Sequence, residues 1–179
     1  MHQDLKEILL TEQQLADKTK ELAQRISNDY RGKNFVMVTV LKGGFIFASD
    51  LVRQMDIDVD INFMAVSSYG SGTRSSGNVK IVKDLDTDIR GKHVLIVEDI
   101  IDSGYTLSFL MKLMKDRGAV DVKICTILNK PSRREVEIDV AYLGYDIPDE
   151  FVVGYGLDYN ERYRNLPYLA TLKEEVYNS

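Results

Sequence analysis

The sequence predicts an α/β domain built on a mostly parallel, twisted sheet with helices on both faces. Two observations predict it. Short runs rich in valine and isoleucine recur at residues 35–41, 93–98 and 122–128, nearly unbroken in apolar character, as strands buried on both faces of a parallel sheet are. Between them lie stretches whose apolar residues recur at helical spacing, so strand and helix alternate and right-handed crossovers join them.

Thr11 opens the first helix. Leu15, Leu22, Ala23 and Ile26 share a face, Gln14 stands where it closes a capping box, and Gly32 ends the element. The strand at 35–41 is punctuated by Gly43 and Gly44, and 45–55 again has helical spacing. Residues 59–66 read as a strand, followed by a serine- and glycine-rich loop at 67–78. After the strand at 93–98 comes a polar turn, then a helix at 107–117 with Leu110, Leu113 and Met114 on one face and Gly118 as its stop. Further strands are expected at 122–128, 140–143 and 151–154. In an open sheet of this kind ligands bind beyond the carboxyl ends of the strands, which directs attention to the turns after Leu41, Glu98 and Leu128.

A chain of 179 residues fits one domain, 1–179, with a core that needs no disulfide. Its one cysteine, Cys125, falls in an apolar run and is expected to be buried. No apolar stretch has the length of a membrane helix, and the first ten residues carry Asp4, Lys6 and Glu7, so no membrane is expected and the cytoplasm is the default location. The net charge of −5, with the basic residues scattered, lacks the footprint of a nucleic-acid binder. The two histidines, His2 and His93, are assigned no role, and no cysteine–histidine cluster has zinc spacing.

The chemistry concentrates at 94–107, VLIVEDIIDSGYTL. Ser103, Gly104 and Thr106 stand where a strand gives way to a helix, so their amides and hydroxyls can surround a phosphate at the positive end of the helix dipole. Glu98 and Asp99 repel phosphate but accept hydrogen bonds from sugar hydroxyls. A phosphorylated sugar satisfies both halves. The pattern is neither a Walker loop nor a dinucleotide fingerprint. It resembles the phosphoribosyl pyrophosphate motif of type I phosphoribosyltransferases, EDxxD[ST]GxT after a strand.

Along nearly its whole length the chain also resembles the hypoxanthine-guanine phosphoribosyltransferases, whose fold adds a small hood from the terminal regions. Four further segments carry the likeness. LKGG at 41–44 implies a cis peptide before Lys42, with Lys42 and Gly43 binding pyrophosphate. The 67–78 loop implies a lid bearing Ser68 and Tyr69, which would keep water from a cationic transition state. LNKPSR at 128–133 implies that Lys130 donates to the oxygen at C6 of a purine, selecting oxopurines over adenine. The segment 151–172 implies that Phe151 stacks on the base, Val152 contacts it through its backbone, Asp158 helps hold base and metal, and Arg164 binds pyrophosphate.

The resemblance therefore implies transfer of phosphoribosyl from phosphoribosyl pyrophosphate to hypoxanthine or guanine. Asp102 would be the general base, and Asp102, Ser103, Gly104, Tyr105 and Thr106 would hold the 5-phosphate. Glu98 and Asp99 would hold the ribose, and magnesium would be served by Glu98, Asp99 and Asp158. Tyr105 departs from relatives with a basic residue there. The short chain is similar to bacterial members, and a homodimer or homotetramer is expected from relatives. The alternatives are a sensor that kept the pocket without turnover, and the same chemistry on xanthine. Preference between hypoxanthine and guanine is open.

Overall fold

A computed structural model describes residues 2–68 and 78–178. The six-stranded sheet has the order β4-β3-β2-β5-β6-β7: β2 (Phe35–Leu41), β3 (Asp60–Ser68), β4 (Val79–Lys83), β5 (His93–Ile101), β6 (Asp121–Asn129) and β7 (Tyr142–Asp146). All pairs are parallel except the edge strand β4, which runs antiparallel to β3. A separate antiparallel sheet, ordered β1-β9-β8, joins β1 (Leu5–Leu10), β9 (Leu169–Leu172) and β8 (Val152–Val153) from opposite regions of the sequence. That sheet is the hood.

Alternation along the central strands fills both faces. Met37, Leu95, Val97, Cys125 and Ile127 pack with α1 (Glu12–Tyr30) and α2 (Phe45–Arg53), while Val36, Val38, Val94, Ile96 and Ile124 pack with α3 (Tyr105–Asp116). The first helix carries the expected capping box, with Thr11 and Gln14 reciprocally bonded, and Gly32 turns left-handed just beyond it. Cys125 is wholly buried. His93 sits at the amino end of β5, paired with Phe35 and Asp121, at the opposite end of the strand from its acids.

Several boundaries differ from the sequence reading, each for a physical reason. The central strand does not stop at Glu98: Ile100 and Ile101 stay paired with Leu128 and Asn129, so both acids lie within β5. The strand expected at 140–143 is shifted to Tyr142–Asp146, where Cys125 to Asn129 offer partners. The one expected at 151–154 shortens to Val152–Val153 and pairs with β9 in the hood instead of extending the parallel sheet. Strands β1, β4 and β9 and the short helix α4 (Glu174–Tyr177) were not expected. Ser68 ends β3, paired with Val79; Tyr69 and the rest of the expected lid up to residue 77 lie outside the described residues.

Candidate active site

Three chain segments converge beyond the carboxyl ends of β2 and β5. The Leu41–Lys42 peptide is cis. Gly43 follows so closely against β5 that a Cβ there would overlap the Asp99 carboxylate, and a Cβ at Gly156 would overlap the carbonyl of Gly43. The loop after β8 thus lies on the turn after β2, which itself lies on Asp99. That loop has four non-glycine residues with left-handed backbone, Tyr155, Asn160, Glu161 and Tyr163, a concentration of strain of the kind that binding sites hold.

Arg164 is fixed within this junction. Its Nη1 donates to the Gly156 carbonyl at 2.7 Å, and its Nη2 lies 3.2 Å from Asp158 Oδ1 and 3.3 Å from Glu161 Oε1. Lys42 reaches over to Glu161 at 3.0 Å, an exposed pair that a competing anion can displace at little cost. Lys42, Gly43 and Arg164 are therefore brought together, as a pyrophosphate site requires.

Half-buried Glu98 and buried Asp99 form an acidic pair. Glu98 Oε1 accepts from the Asp99 amide at 3.1 Å and Asp99 Oδ1 from the Ile100 amide at 2.7 Å. Burial pushes both carboxyls above the ordinary range, Glu98 further because Asp99 stands beside it, while Arg164 partly offsets the shift at Asp99. Such a pair is short of positive charge. Its hard oxygen donors suit magnesium, yet among the described residues no three acidic, histidine or cysteine side chains form a ready-made cage. Asp158 pairs with Arg164, and the three expected metal residues do not make a closed site by themselves. The arrangement fits a magnesium ion that takes most of its ligands from substrate and water.

Two helices begin at this junction with glycine as N-cap. Gly44 precedes α2 and Gly104, at φ 93°, precedes α3, and neither helix has a side-chain cap, in contrast to the capping box on α1. The Phe45 amide at the start of α2 is taken by the Lys42 carbonyl at 3.2 Å, whereas the Tyr105 amide at the start of α3 has only a 3.5 Å contact to Ser103 Oγ, so the start of α3 is the end better placed to serve an anion. In the second turn Asp102 is exposed, while Ser103, Tyr105 and Thr106 are half-buried. Tyr105 hydrogen-bonds Glu135, a contact that raises its hydroxyl above the usual range.

The remaining residues line a cavity of about 810 Å³ that holds Asp102, Lys130, Phe151, Val152 and Asp158 together with the apolar Ile100 and Leu157. Lys130 donates from Nζ to the Glu150 carbonyl at 2.8 Å, and burial lowers its affinity for the proton while the nearby Asp102 carboxylate opposes that shift. Phe151 is 38% exposed, a large apolar ring presented to the cavity with Tyr159 edge-on at 5.5 Å and Tyr177 stacked at 4.9 Å. Sequence reasoning missed Ile100, Leu157 and Tyr177. Ile100 could have been found from its place directly after the two acids; the other two carry no local signal.

Residues 6–160 match the family model described as the phosphoribosyl transferase domain. The chain belongs to that family. This phosphoribosyltransferase is 51% identical over 178 residues to the hypoxanthine-guanine phosphoribosyltransferase of Streptococcus thermophilus, covering 99% of each chain. Its fold superposes on a hypoxanthine phosphoribosyltransferase crystal structure from Staphylococcus aureus with a TM-score of 0.97 at 51% identity, over 100% of this chain and 97% of the other. A Trypanosoma cruzi hypoxanthine phosphoribosyl transferase, from work on the role of its C-terminal region in oligomeric state and enzymatic activity, gives 0.94 at 38% identity, over 99% and 96%. The expected family, fold and class of enzyme are borne out, and no helix among the described residues is long and apolar enough to cross a membrane.

Proposed function

We propose that this phosphoribosyltransferase is a magnesium-dependent purine salvage enzyme of the cytoplasm that makes IMP or GMP and pyrophosphate from phosphoribosyl pyrophosphate and hypoxanthine or guanine. One observation carries the reading: Asp102, Lys130 and Phe151, from three separate stretches, share one cavity next to the uncapped start of α3. A carboxylate, a cationic donor and an exposed aromatic face are what base deprotonation, oxygen recognition and stacking need.

The 5-phosphate sits on the amides and hydroxyls of Ser103, Gly104, Tyr105 and Thr106, and the ribose hydroxyls donate to Glu98 and Asp99. Lys42, the Gly43 amide and Arg164 hold the pyrophosphate. Magnesium, when bound, neutralises charge that accumulates on the leaving group, and Glu98, Asp99 and Asp158 are the residues that would support it. The purine lies on Phe151 with its 6-oxygen on the Lys130 ammonium and an edge on the Val152 backbone and Asp158. Asp102 takes the proton from the ring nitrogen as that nitrogen attacks the anomeric carbon. An adenine amino group would meet Lys130 donor to donor, leaving the ammonium with the Glu150 carbonyl but without an acceptor on the base. The Ser68 and Tyr69 lid completes the reading by excluding water, and the active form is a homodimer or homotetramer.

The test is pyrophosphate release from phosphoribosyl pyrophosphate with hypoxanthine, guanine, xanthine or adenine in turn. Turnover on the first two but not adenine, largely lost in Asp102→Asn, supports the reading. Binding without turnover on every base would make the protein a sensor, and unimpaired Asp102→Asn would remove the general base.

A further inference from the structure

We propose that Arg134 is a positioning residue for phosphoribosyl transfer, one that orients the peptide carrying Asp102 and ties it to the strand end that presents Lys130. The role rests on the function proposed above.

Arg134 follows the 3₁₀ turn Pro131–Arg133 after Lys130. Its Nε donates to the Asp102 carbonyl at 3.1 Å, and its Nη2 donates to Asn129 Oδ1. Asn129, buried at the end of β6, is itself held by donating from Nδ2 to Asp146 Oδ1 at 2.7 Å on β7. The guanidinium therefore bridges two acceptors, one in the phosphate turn and one on the rigid sheet. The backbone after it continues the contact: the Glu135 and Val136 amides both donate to the Ser103 carbonyl, at 2.9 and 3.1 Å. A Cβ on Gly104 would come within 3.0 Å of the Val136 carbonyl and 3.2 Å of Arg134 Cδ, so the strap lies flat on that glycine.

The consequence follows from peptide planarity. In a trans peptide the carbonyl of one residue and the amide of the next point in opposite directions. With the Asp102 and Ser103 carbonyls both held on the strap side, the Ser103 and Gly104 amides are turned to the other side. Two successive amides then face outward as an anion-binding concavity. Arg134 holds the first of these two peptides, the one whose residue also bears the proposed general base. On the other side of the strap, the Lys130 amide donates to the Ile101 carbonyl at 2.9 Å, so base-reading and phosphate-reading turns share one frame. Arginine suits the place because its planar fork serves two acceptors in fixed geometry, which a lysine ammonium does not.

Steady-state kinetics of the full chain test this with Arg134→Ala, Arg134→Lys and the double variant Asn129→Ala/Arg134→Ala. Misplacing the turn is expected to lower kcat/KM for phosphoribosyl pyrophosphate at least about 10-fold in both single variants, with KM for hypoxanthine within about threefold of the parent. Adding Asn129→Ala to Arg134→Ala should cost little more, because the two residues act as one device. Full activity in Arg134→Lys would show that only charge matters and overturn the role. So would parent-like Arg134→Ala, or equal losses on both substrates that track a lowered Tm. A parent without turnover on any base would instead overturn the function itself, and this role with it.

Discussion

Gly43→Ala isolates one physical term in the site. The backbone at Gly43 is not left-handed, so alanine meets no conformational strain there; what it meets is the Asp99 carboxylate, which its methyl group would overlap. Neither partner has room to retreat. Asp99 is buried and held by the Ile100 amide, and the Gly43 carbonyl is wedged against Gly156. Overpacking of this sort costs about 2 kcal/mol, and in a domain of this length that lowers Tm by about 4–8 °C. The displaced amide belongs to the proposed pyrophosphate site, and a shift of about 1 Å in a reacting constellation costs about 100-fold in rate. Thermal denaturation and initial rates, with phosphoribosyl pyrophosphate varied, are the measurements. A variant melting within about 1 °C of the parent and active within about twofold would refute the close approach of Gly43 to Asp99. Gly32→Ala is the control: Gly32 has positive φ and nothing within 4 Å, so it tests strain without overlap, far from the site.

Further outcomes follow from the buried charges. Lys130→Gln keeps a donor but loses the charge, and losing a charge-assisted hydrogen bond of about 1.5–3 kcal/mol should cut kcat/KM for hypoxanthine by about 10- to 100-fold and narrow discrimination against adenine; an unchanged hypoxanthine-to-adenine ratio would contradict the assignment. Glu98 has its carboxyl raised by burial and by Asp99, so the native state keeps a proton that the unfolded chain releases, and stability falls as pH rises above the usual carboxylate range. Glu98→Gln should therefore melt higher than the parent, by a margin that grows as pH rises above the usual carboxylate range, while losing activity; a margin independent of pH in Tm measurements would count against the acidic pair. Cys125 is buried and its thiol is pushed far up by burial, so a thiol reagent should label it only when the protein unfolds, and rapid labelling of the native enzyme would disprove its burial.

What the sequence revealed depends on how local each cause was. The parallel strands were legible because every residue from Phe35 to Val40 is buried, leaving an apolar run broken only by Thr39. The phosphate turn was legible because strand, acids, Gly104 and Thr106 are contiguous. The hood was not: in Leu5–Leu10 only Leu5 and Leu10 are buried, and the residues that complete it come from Leu169–Leu172. Val152–Val153 was expected in the wrong sheet for the same reason, since two residues cannot declare which partner they will find. The strand was ended at Glu98 because charge reads as a turn, whereas pairing with β6 carries β5 on to Ile101. Arg134 gave no signal, because its effect is exerted on a carbonyl in another segment.

The hood also makes two distant stretches of the chain one mechanical unit. Its middle strand, β9, pairs with β1 on one side and β8 on the other, and the Leu172 amide bonds the Phe151 carbonyl at 3.0 Å. The seat of the ring presented to the cavity thus depends on residues 5–10 and 169–172 together, and a proteolytic cut that freed either strand would loosen it while leaving the six-stranded sheet, which contains neither, with all of its own pairings.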